Sequence, residues 1–386
     1  MMYWLKLAVR NALRHRLRTV LTVLGLIVAI LSFGLLQTIV DAWYAGANNA
    51  SPNRLVTRNA VSLTFPMPLA YREKIRAVPG VRGVAAANWF GGIYIDKKNF
   101  FPQFAVDAPA YFAMYREYLV GDDEWRSFLR DRKGVVVGRK LADTYGFRVG
   151  DTIPLQGTIF PGVWQFNVRA IYDGAQAGTD TSQFFFHWDY LNETVNKRFP
   201  YRANQVGVFV VEIDNPDRAA EVSAAIDATF KNSLAETLTE TERSFQIGFV
   251  KQTEAIVVSI RIVSFVVIFI ILAVMANTMA MTARERLAEY ATLKALGFGP
   301  GVIGLLIFAE SLAIALTGCL IGVALTFPVG DWFAARMGTL FPVFEVGGTT
   351  VMLQIVCAVG VGIIAALFPT RRATRVRIVD GLRAIG

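Results

Sequence analysis

Apolar residues collect in four long runs, separated by segments with the polar content of a water-soluble protein. The runs are residues 19–40, 255–283, 302–327 and 346–370. Two charged residues, Arg261 and Glu310, fall inside them. Each run reaches the length of about 20 residues that a helix needs to cross a bilayer. Because lipid offers the backbone no hydrogen-bond partners, such a segment must be helical, and the pattern predicts four transmembrane helices.

The segment between the first two runs, residues 41–254, has the pattern of a mixed α+β domain. Strands are predicted at residues 53–58, 81–90, 165–174 and 205–214, and residues 134–155 predict strand, helix, turn and strand. Helices are predicted at residues 68–78, 215–232 and 232–254, the last leading into the second run. Asn215 is the predicted N-cap of the second of these helices, with Pro216 in its first turn. The predicted fold class is a membrane α-helical protein with four transmembrane helices and an α+β extracytoplasmic domain inserted between the first and second spans.

Basic residues indicate on which side of the membrane each connecting segment lies, since Lys and Arg near span ends accumulate in the cytoplasm. The basic residues flanking the runs are Lys6, Arg10, Arg14, Arg16, Arg18, Arg284, Arg286, Lys294, Arg371, Arg372, Arg375, Arg377 and Arg383, with one more, Arg336, in the short outer loop 328–345. Both termini and the 284–300 segment are therefore predicted to be cytoplasmic, with the 41–254 domain outside the inner (plasma) membrane. The net charge of +9 reflects this asymmetry, and no nucleic-acid partner is expected.

The two terminal segments are predicted to lie at the inner membrane surface. In residues 1–18, leucines alternate with basic positions at helical spacing, which predicts an amphipathic surface helix. A plain basic flank would account for these arginines as well. Residues 371–386 form the predicted cytoplasmic tail. The first apolar run is about twice as long as the core of a cleaved signal peptide, which favours a retained span.

Motifs for nucleotide or metal chemistry are absent from the sequence. No Gly-x-x-x-x-Gly-Lys phosphate loop and no His-Glu-x-x-His zinc helix occurs. His15 and His187 stand alone, and a lone histidine in an aromatic strand is most often packed. We therefore expect no catalytic, cofactor-binding or metal-binding residue. Cys319 and Cys357 both fall in predicted spans, so the outer domain carries no disulfide.

Residues 284–297, RERLAEYATLKALG, form a charged amphipathic segment between two of the apolar runs. Its apolar positions recur every third residue, at Leu287, Tyr290, Leu293 and Leu296. Gly297 is predicted to end the helix in a left-handed backbone conformation. The pattern fits a helix resting on lipid headgroups, and equally a helix whose apolar stripe docks in a groove of a cytosolic partner.

Residues 276–322 resemble the permease family of FtsX, MacB and the LolC/LolE proteins, the type VII or mechanotransmission ABC transporter permeases. The matching positions are Asn277, Glu285-Arg286, Glu289, Lys294 to Gly297, Glu310, Gly318 and Gly322. Residues 7–25 and 368–383 also resemble the family, although Asp380-Gly381 departs from its usual Pro-containing ending. Residues 134–155 and 166–174 resemble the MacB-like periplasmic core domain.

The resemblance implies a permease subunit that is driven by a separate ABC ATPase, which would bind ATP and Mg. It implies an ATPase-coupling helix at Arg284, Glu285, Arg286, Glu289, Tyr290, Leu293, Lys294, Leu296 and Gly297, intramembrane contacts at Glu310, Gly318, Gly322 and Asn277, and tail contacts at Arg371 and Arg372. Expected partners are the ATPase, a second permease copy in a homo- or heterodimer, membrane lipid and a periplasmic adaptor. The expected function is export or extraction of an apolar or amphiphilic cargo. FtsX-like mechanical signalling to a periplasmic partner is the alternative, and a stand-alone sensor or scaffold is a third.

Several further residues have two interpretations each. Glu310 lies about 12 Å into its span at 1.5 Å per residue, where a carboxylate either contacts another helix or snorkels. Arg261 near the outer end of its span is expected to snorkel outward. Gly318 and Gly322 could allow close packing, including a dimer contact. The phenylalanines at 100, 101, 104 and 184–186 are expected in the domain core, the other reading being a surface for apolar cargo.

Overall fold

The computed structural model describes residues 16–176, 178–337, 341 and 343–375. The chain divides into two compact units. The helical unit comprises Met1–Asp41, Glu254–Arg336 and Phe344–Gly386, and the sheet domain comprises Ala42–Thr253 and Met337–Val343. The predicted surface helix at 1–18, apart from its last three residues, and the tail beyond residue 375 lie outside the described residues.

The described elements alternate between strands and helices across the sheet domain. The helices are α1 (Arg16–Asn49), α2 (Tyr71–Arg76), α3 (Ala108–Met114), α4 (Asp122–Arg130), α5 (Arg139–Tyr145), α6 (Trp188–Arg198), α7 (Ala219–Thr229), α8 (Glu242–Gln252), α9 (Glu254–Glu285), α10 (Leu287–Ala295), α11 (Pro300–Met337) and α12 (Gly348–Arg375). The strands are β1 (Arg54–Asn59), β2 (Met67–Pro68), β3 (Val81–Trp89), β4 (Gly92–Ile93), β5 (Gln103–Val106), β6 (Tyr118–Leu119), β7 (Gly134–Gly138), β8 (Thr152–Gly157), β9 (Gly162–Gly174), β10 (Phe184–His187), β11 (Gln205–Val206), β12 (Val208–Ile213) and β13 (Thr237–Thr241).

Four of the described helices, α1, α9, α11 and α12, are long and apolar enough to cross a membrane. This number agrees with the sequence prediction. The helices extend beyond the apolar runs, and α11 continues past residue 327 to Met337 with Pro328 inside it. Part of the predicted outer loop 328–345 is therefore helical. The residues after Pro328 include good helix formers, Ala334 to Met337, which continue the helix although the proline removes one backbone bond.

Small residues let α1 pack closely against α11 in the helical unit. A Cβ atom added to Gly318 would lie 2.6 Å from Cβ of Leu26, and one added to Gly322 would lie 3.0 Å from Cβ of Ile30. Both glycines are buried. The Gly318/Gly322 face is therefore occupied by the first helix of the same chain, and it is not open to a second copy as the dimer interpretation required.

A buried glutamine joins three of the long helices. Gln354 of α12 donates from Nε2 to the carbonyl of Ile30 in α1 at 2.8 Å and to Thr326 Oγ1 of α11 at 2.9 Å. Gly34 makes this possible, because a Cβ atom there would lie 2.1 Å from Gln354 Nε2. Directional bonds of this kind fix the register of helices that otherwise meet through non-directional apolar contacts.

Within the described residues, the sheet domain has one large sheet and a two-stranded pair, β11 with β2. The large sheet follows the order β13-β1-β12-β3-β5-β10-β7-β9-β8-β4, with β6 paired to β9. The strands predicted from alternation are present. Residues 237–241, predicted as part of a helix, form instead the edge strand β13, because they pair antiparallel with β1. Asn215 caps a 3₁₀ turn by accepting from the Asp217 amide at 2.9 Å, and α7 follows.

The aromatic clusters belong to the interior of the sheet domain. Phe184 and Phe186 lie in the core on one face of the sheet, and Phe185 lies in a second core on the opposite face. This follows from the alternation of side chains along a strand. Phe101 is buried as expected, whereas Phe100 is exposed.

We predict that Gly34→Ala lowers the free energy of unfolding by about 1–3 kcal/mol, the usual cost of overpacking a filled core. The new methyl group would displace Gln354 from its two bonds. Thermal unfolding of the purified chain in detergent measures the effect. Gly360→Ala on α12 is the matched control, because its added Cβ meets no atom within 4 Å. Equal effects of the two variants would contradict the assignment.

Candidate coupling site

The short helix α10 ends in a Schellman motif. The Phe298 amide donates to the Leu293 carbonyl and the Gly297 amide donates to the Lys294 carbonyl, each at 3.0 Å. Gly297 has φ of +91°, in the left-handed region that favours glycine. The prediction that Gly297 ends the helix is confirmed. The helix itself is shorter than the charged segment 284–297, because Arg284 and Glu285 still belong to α9.

The apolar stripe of the segment is divided between the inside and the outside of the chain. Tyr290 is 1% exposed and belongs to the core of the helical unit, and Leu293 packs against the same core. Leu296 is 70% exposed. A repeat of three residues drifts around a helix of 3.6 residues per turn, so its members do not share one face. The stripe as a whole therefore cannot fill a partner's groove, as the docking interpretation assumed.

Arg286, between α9 and α10, lies at the centre of a buried ionic cluster. It donates from Nε to Glu289 Oε2 and from Nη1 to Glu310 Oε2, each at 2.8 Å. Its guanidinium carbon lies 5.5 Å from the ring centroid of Tyr290. Glu310 is 2% exposed, so the structure places this carboxylate in a contact between α11 and the α9–α10 junction.

The environment keeps the arginine charged and the tyrosine neutral. Burial alone would lower the pKa of Arg286, but Tyr290, Glu289 and Glu310 together raise it above its ordinary value. Burial raises the pKa of Tyr290 to about 12, with a smaller opposing effect of Arg286. Arg286 therefore supplies one permanent positive charge between two carboxylates.

Two further bonds connect the α10 region to the remaining long helices. Arg18 of α1 donates to both carboxylate oxygens of Glu285, at 2.8 and 2.7 Å. Lys294 donates from Nζ to the carbonyl of Thr374 in α12 at 2.8 Å. Together with Arg286–Glu310, these bonds link the segment from Glu285 to Lys294 with α1, α11 and α12.

The solvent-exposed end of this region is a small apolar surface, which we call the apolar tip. It consists of Leu296 and Phe298, which is 41% exposed, on either side of Gly297. Arg284, in the last turn of α9, is exposed, and so are Arg371 and Arg372 near the end of α12. Asn277 lies on an exposed side of α9.

Sequence reasoning missed Arg18, Thr374 and Phe298. Arg18 and Thr374 contact the segment across large sequence separations, so no local spacing marks them. Phe298 could have been found, since the residue after the glycine of a Schellman motif commonly makes an apolar contact.

Metal-ligating side chains do not cluster in the described part of the chain, and the histidine of β10 is packed. There, no group of three or more His, Cys, Asp or Glu side chains could hold a metal ion. His187 stacks on Phe128 with 4.1 Å between ring centroids, and its Nε2 lies 2.9 Å from the Phe128 carbonyl. Burial lowers the pKa of His187, which is the packed histidine that the sequence suggested.

Comparison with known proteins places both parts of the chain in described families. Residues 19–229 match the MacB-like periplasmic core domain, and residues 261–376 match the FtsX-like permease C-terminal domain. An ABC transporter permease of Methanocaldococcus jannaschii is 21% identical over 97% of this chain and 96% of its own length.

Two more similarities cover parts of the chain. The macrolide export ATP-binding/permease protein MacB of Sodalis glossinidius is 30% identical over 32% of this chain and 19% of its own length. The periplasmic region of MacB from Actinobacillus actinomycetemcomitans has a TM-score of 0.37 at 10% identity, covering 54% of this chain and 95% of that structure.

We predict that Glu310→Leu destabilises the helical unit by up to about 3 kcal/mol, because Arg286 loses its buried partner and keeps only the more exposed Glu289. The double variant Arg286→Met/Glu310→Leu should recover most of that loss, because it removes both charges. The measurement is the unfolding free energy in mixed detergent micelles. Arg18→Met serves as the control, since its more exposed pair with Glu285 should contribute only about 0–1 kcal/mol. Additive losses in the double variant would contradict a buried pair.

Proposed function

Because this chain belongs to the MacB/FtsX-like family of ABC transporter permeases, we propose that it transmits the nucleotide cycle of a separate ATPase to its sheet domain. The observation that carries this proposal is the construction of α10. Arg286 at its start and Lys294 in its last turn bond to the long helices, and the exposed side chains of Leu296 and Phe298 follow its end. The sequence contains no phosphate loop of its own, so ATP and Mg would be bound by the partner.

The contact with the ATPase would be made by the apolar tip. Exposed apolar side chains next to a rigid helix end are the anchors that a groove on a partner accepts. Leu293, behind the tip, is held in the core and supports Phe298 through the backbone bond of the Schellman motif. The partner would therefore meet a surface that does not rearrange when pressed.

The bonds behind the tip would distribute the displacement. The segment from Glu285 to Lys294 is connected to α11 by Arg286–Glu310, to α12 by Lys294–Thr374, and to α1 by Arg18–Glu285. Charge-assisted hydrogen bonds are directional and stronger than neutral ones. A push on α10 would therefore move several long helices together, instead of bending α10 alone.

The output would be movement of the sheet domain outside the membrane. We propose that the chain works in a dimer and exports or extracts an apolar or amphiphilic cargo. The loop after β1 exposes Val61, Leu63 and Phe65, and clustered exposed apolar side chains are typical of a surface that another protein covers. This loop supports an outer partner, which would be an adaptor in export and a regulated enzyme in the alternative function, mechanical signalling.

We predict that Leu296→Asp/Phe298→Asp abolishes association with the cognate ATPase and its stimulation by this chain. Two carboxylates would be buried against the partner's apolar groove, which is unfavourable without a paired charge. Co-purification from membranes and ATPase rates in bilayer discs measure both effects. Leu293 is left unchanged because its substitution would disturb the core.

Leu234→Asp is the matched control, since Leu234 is a fully exposed leucine of the sheet domain. It should leave association and stimulation at the unsubstituted level. Normal ATPase binding by the double variant at the tip would exclude the tip as the coupling surface.

A separate prediction concerns orientation. In a background with Cys319 and Cys357 replaced by Ala, a membrane-impermeant maleimide should label Ala295→Cys only in inverted vesicles and Ala225→Cys only in right-side-out cells. Both positions are exposed, on α10 and α7 respectively. Labelling of both cysteines from the same side would rule out the proposed topology.

A further inference from the structure

The end of α1 and the start of α8, the short helix that precedes α9, flank the antiparallel strand pair β1 and β13. We call these two helix ends, at Asn49 and Glu242, the helix roots. The helix α1 ends at Asn49 and β1 begins at Arg54, while β13 ends at Thr241 and α8 begins at Glu242. The strands β1 and β13 are antiparallel neighbours, with Leu55 opposite Thr241. This register brings Arg54 and Glu242 together, and Arg54 Nε donates to Glu242 Oε2 at 2.7 Å.

Arg54 also holds a third segment, the connection between α3 and β6. Its Nη1 donates to the Met114 carbonyl at 3.0 Å and to Glu117 Oε2 at 3.1 Å, and Nη2 donates to Glu117 Oε1 at 2.6 Å. The connection continues into β6, where Tyr118 pairs with Gly174 of β9. The guanidinium of Arg54 therefore bonds to the start of α8 and to the α3–β6 connection. Through β6, that connection reaches the part of the domain built on β7, β8 and β9.

The Arg54–Glu242 pair is buried, whereas Glu117 on the other side of Arg54 is 30% exposed. Arg54 is 4% exposed and Glu242 is 6% exposed. The guanidinium carbon lies 4.0 Å from the ring centroid of Tyr115, whose hydroxyl donates to Glu242 Oε1 at 2.8 Å. Burial alone would lower the pKa of Arg54, but Glu117, Glu242 and Tyr115 raise it, so the arginine stays charged.

Stability alone does not account for such a cluster. Well-packed apolar residues commonly stabilise a fold as much as a buried ion pair does. A planar guanidinium, in contrast, fixes the directions of its hydrogen bonds, whereas apolar contacts are non-directional and would let the roots rotate against the sheet. What the cluster contributes is a fixed geometry between three chain segments.

We propose that Arg54 is the positioning residue that transmits movement of α1 and α8 to the β7–β9 part of the sheet domain. This inference rests on the proposed function, since it concerns the step after the long helices have moved. A cavity of about 840 Å³ lies beside the cluster, lined by Gly46, Gln246 and Tyr118 among others. It gives the helix roots and the α3–β6 connection room to move, with Arg54 as their common contact.

The test compares Arg54→Lys with Arg58→Lys. Lysine keeps the charge but loses the planar fork. Arg58 is the matched control, because it also lies on β1 and bonds to Glu240 of β13 at 3.2 Å and to the Asn59 carbonyl. Those bonds join β1 to β13 and do not involve the α3–β6 connection or α8.

The readout is the distance distribution between spin labels on Ala225→Cys (α7) and Asp143→Cys (α5), with Cys319 and Cys357 replaced by Ala. The full chain is measured in bilayer discs, alone and with its ATPase, before and after trapping with ATP and vanadate. We expect trapping to shift the distribution in the unsubstituted chain and in Arg58→Lys. Arg54→Lys should lose most of the shift while ATPase binding persists.

A second variant, Glu117→Ala, removes two of the three bonds between Arg54 and the α3–β6 connection and keeps the Arg54–Glu242 pair, so it should fold if Arg54→Lys does not. It should also lose most of the shift. If both variants show the same change in distance distribution on trapping as the unsubstituted chain, the role proposed for Arg54 is wrong. If trapping shifts nothing even in the unsubstituted chain, the proposed function fails. In that case the test of Arg54 is the distance distribution of the chain measured without its ATPase. Arg54→Lys should give a broader distribution than Arg58→Lys, and equally narrow distributions would refute the inference.

Discussion

The positive charge of Arg286, buried where α9 gives way to α10, is the constraint on which the coupling region depends. A buried charge without a partner costs several kcal/mol, so carboxylates must stand within hydrogen-bonding distance. Glu289 supplies one from the next turn, and Glu310 supplies the other from inside α11. Satisfying both requires α10 to lie against the long helices, which in turn buries Tyr290 and Leu293. The position of the short helix follows from this charge balance more than from its own apolar pattern.

The sheet domain uses the same solution with different residues. Arg54 is also buried, also stacked on or near a tyrosine, and also bonded to two carboxylates from separate segments. Within the helical unit, the long helices meet through small residues and the Gln354 bonds. Directional bonds thus hold the points where segments join, and small residues let the long helices pack closely. That combination suits a protein that moves by displacing whole elements.

Sequence reasoning reached the four long helices, the mixed domain and the family, because those depend on apolar run length, alternation and local motifs. It also placed Gly297 and Asn215, whose roles are set by adjacent backbone. It failed where the partner is distant in sequence. The strand at Thr237–Thr241 is a strand only because β1 lies beside it. Gly318 faces Leu26 of α1, and Arg286 pairs with Glu310 of α11, contacts that local spacing does not mark. The Arg54 cluster combines residues from three segments and leaves no local pattern.

The division of the segment 284–297 into an ionic inner side and an apolar tip has a consequence for coupling. If its charges faced the ATPase, the contact would rely on exposed ion pairs, which are weak, screened by salt and costly in side-chain entropy. In the structure, Glu285, Arg286 and Lys294 instead bond to the protein's own long helices, and these bonds are directional. In the coupling that we propose, the partner would meet Leu296 and Phe298, whose contact strength scales with buried area and does not depend on ion pairs that salt screens. A nucleotide-driven displacement would therefore enter through an apolar contact and spread through ionic ones, an order that a helix-period pattern alone does not reveal.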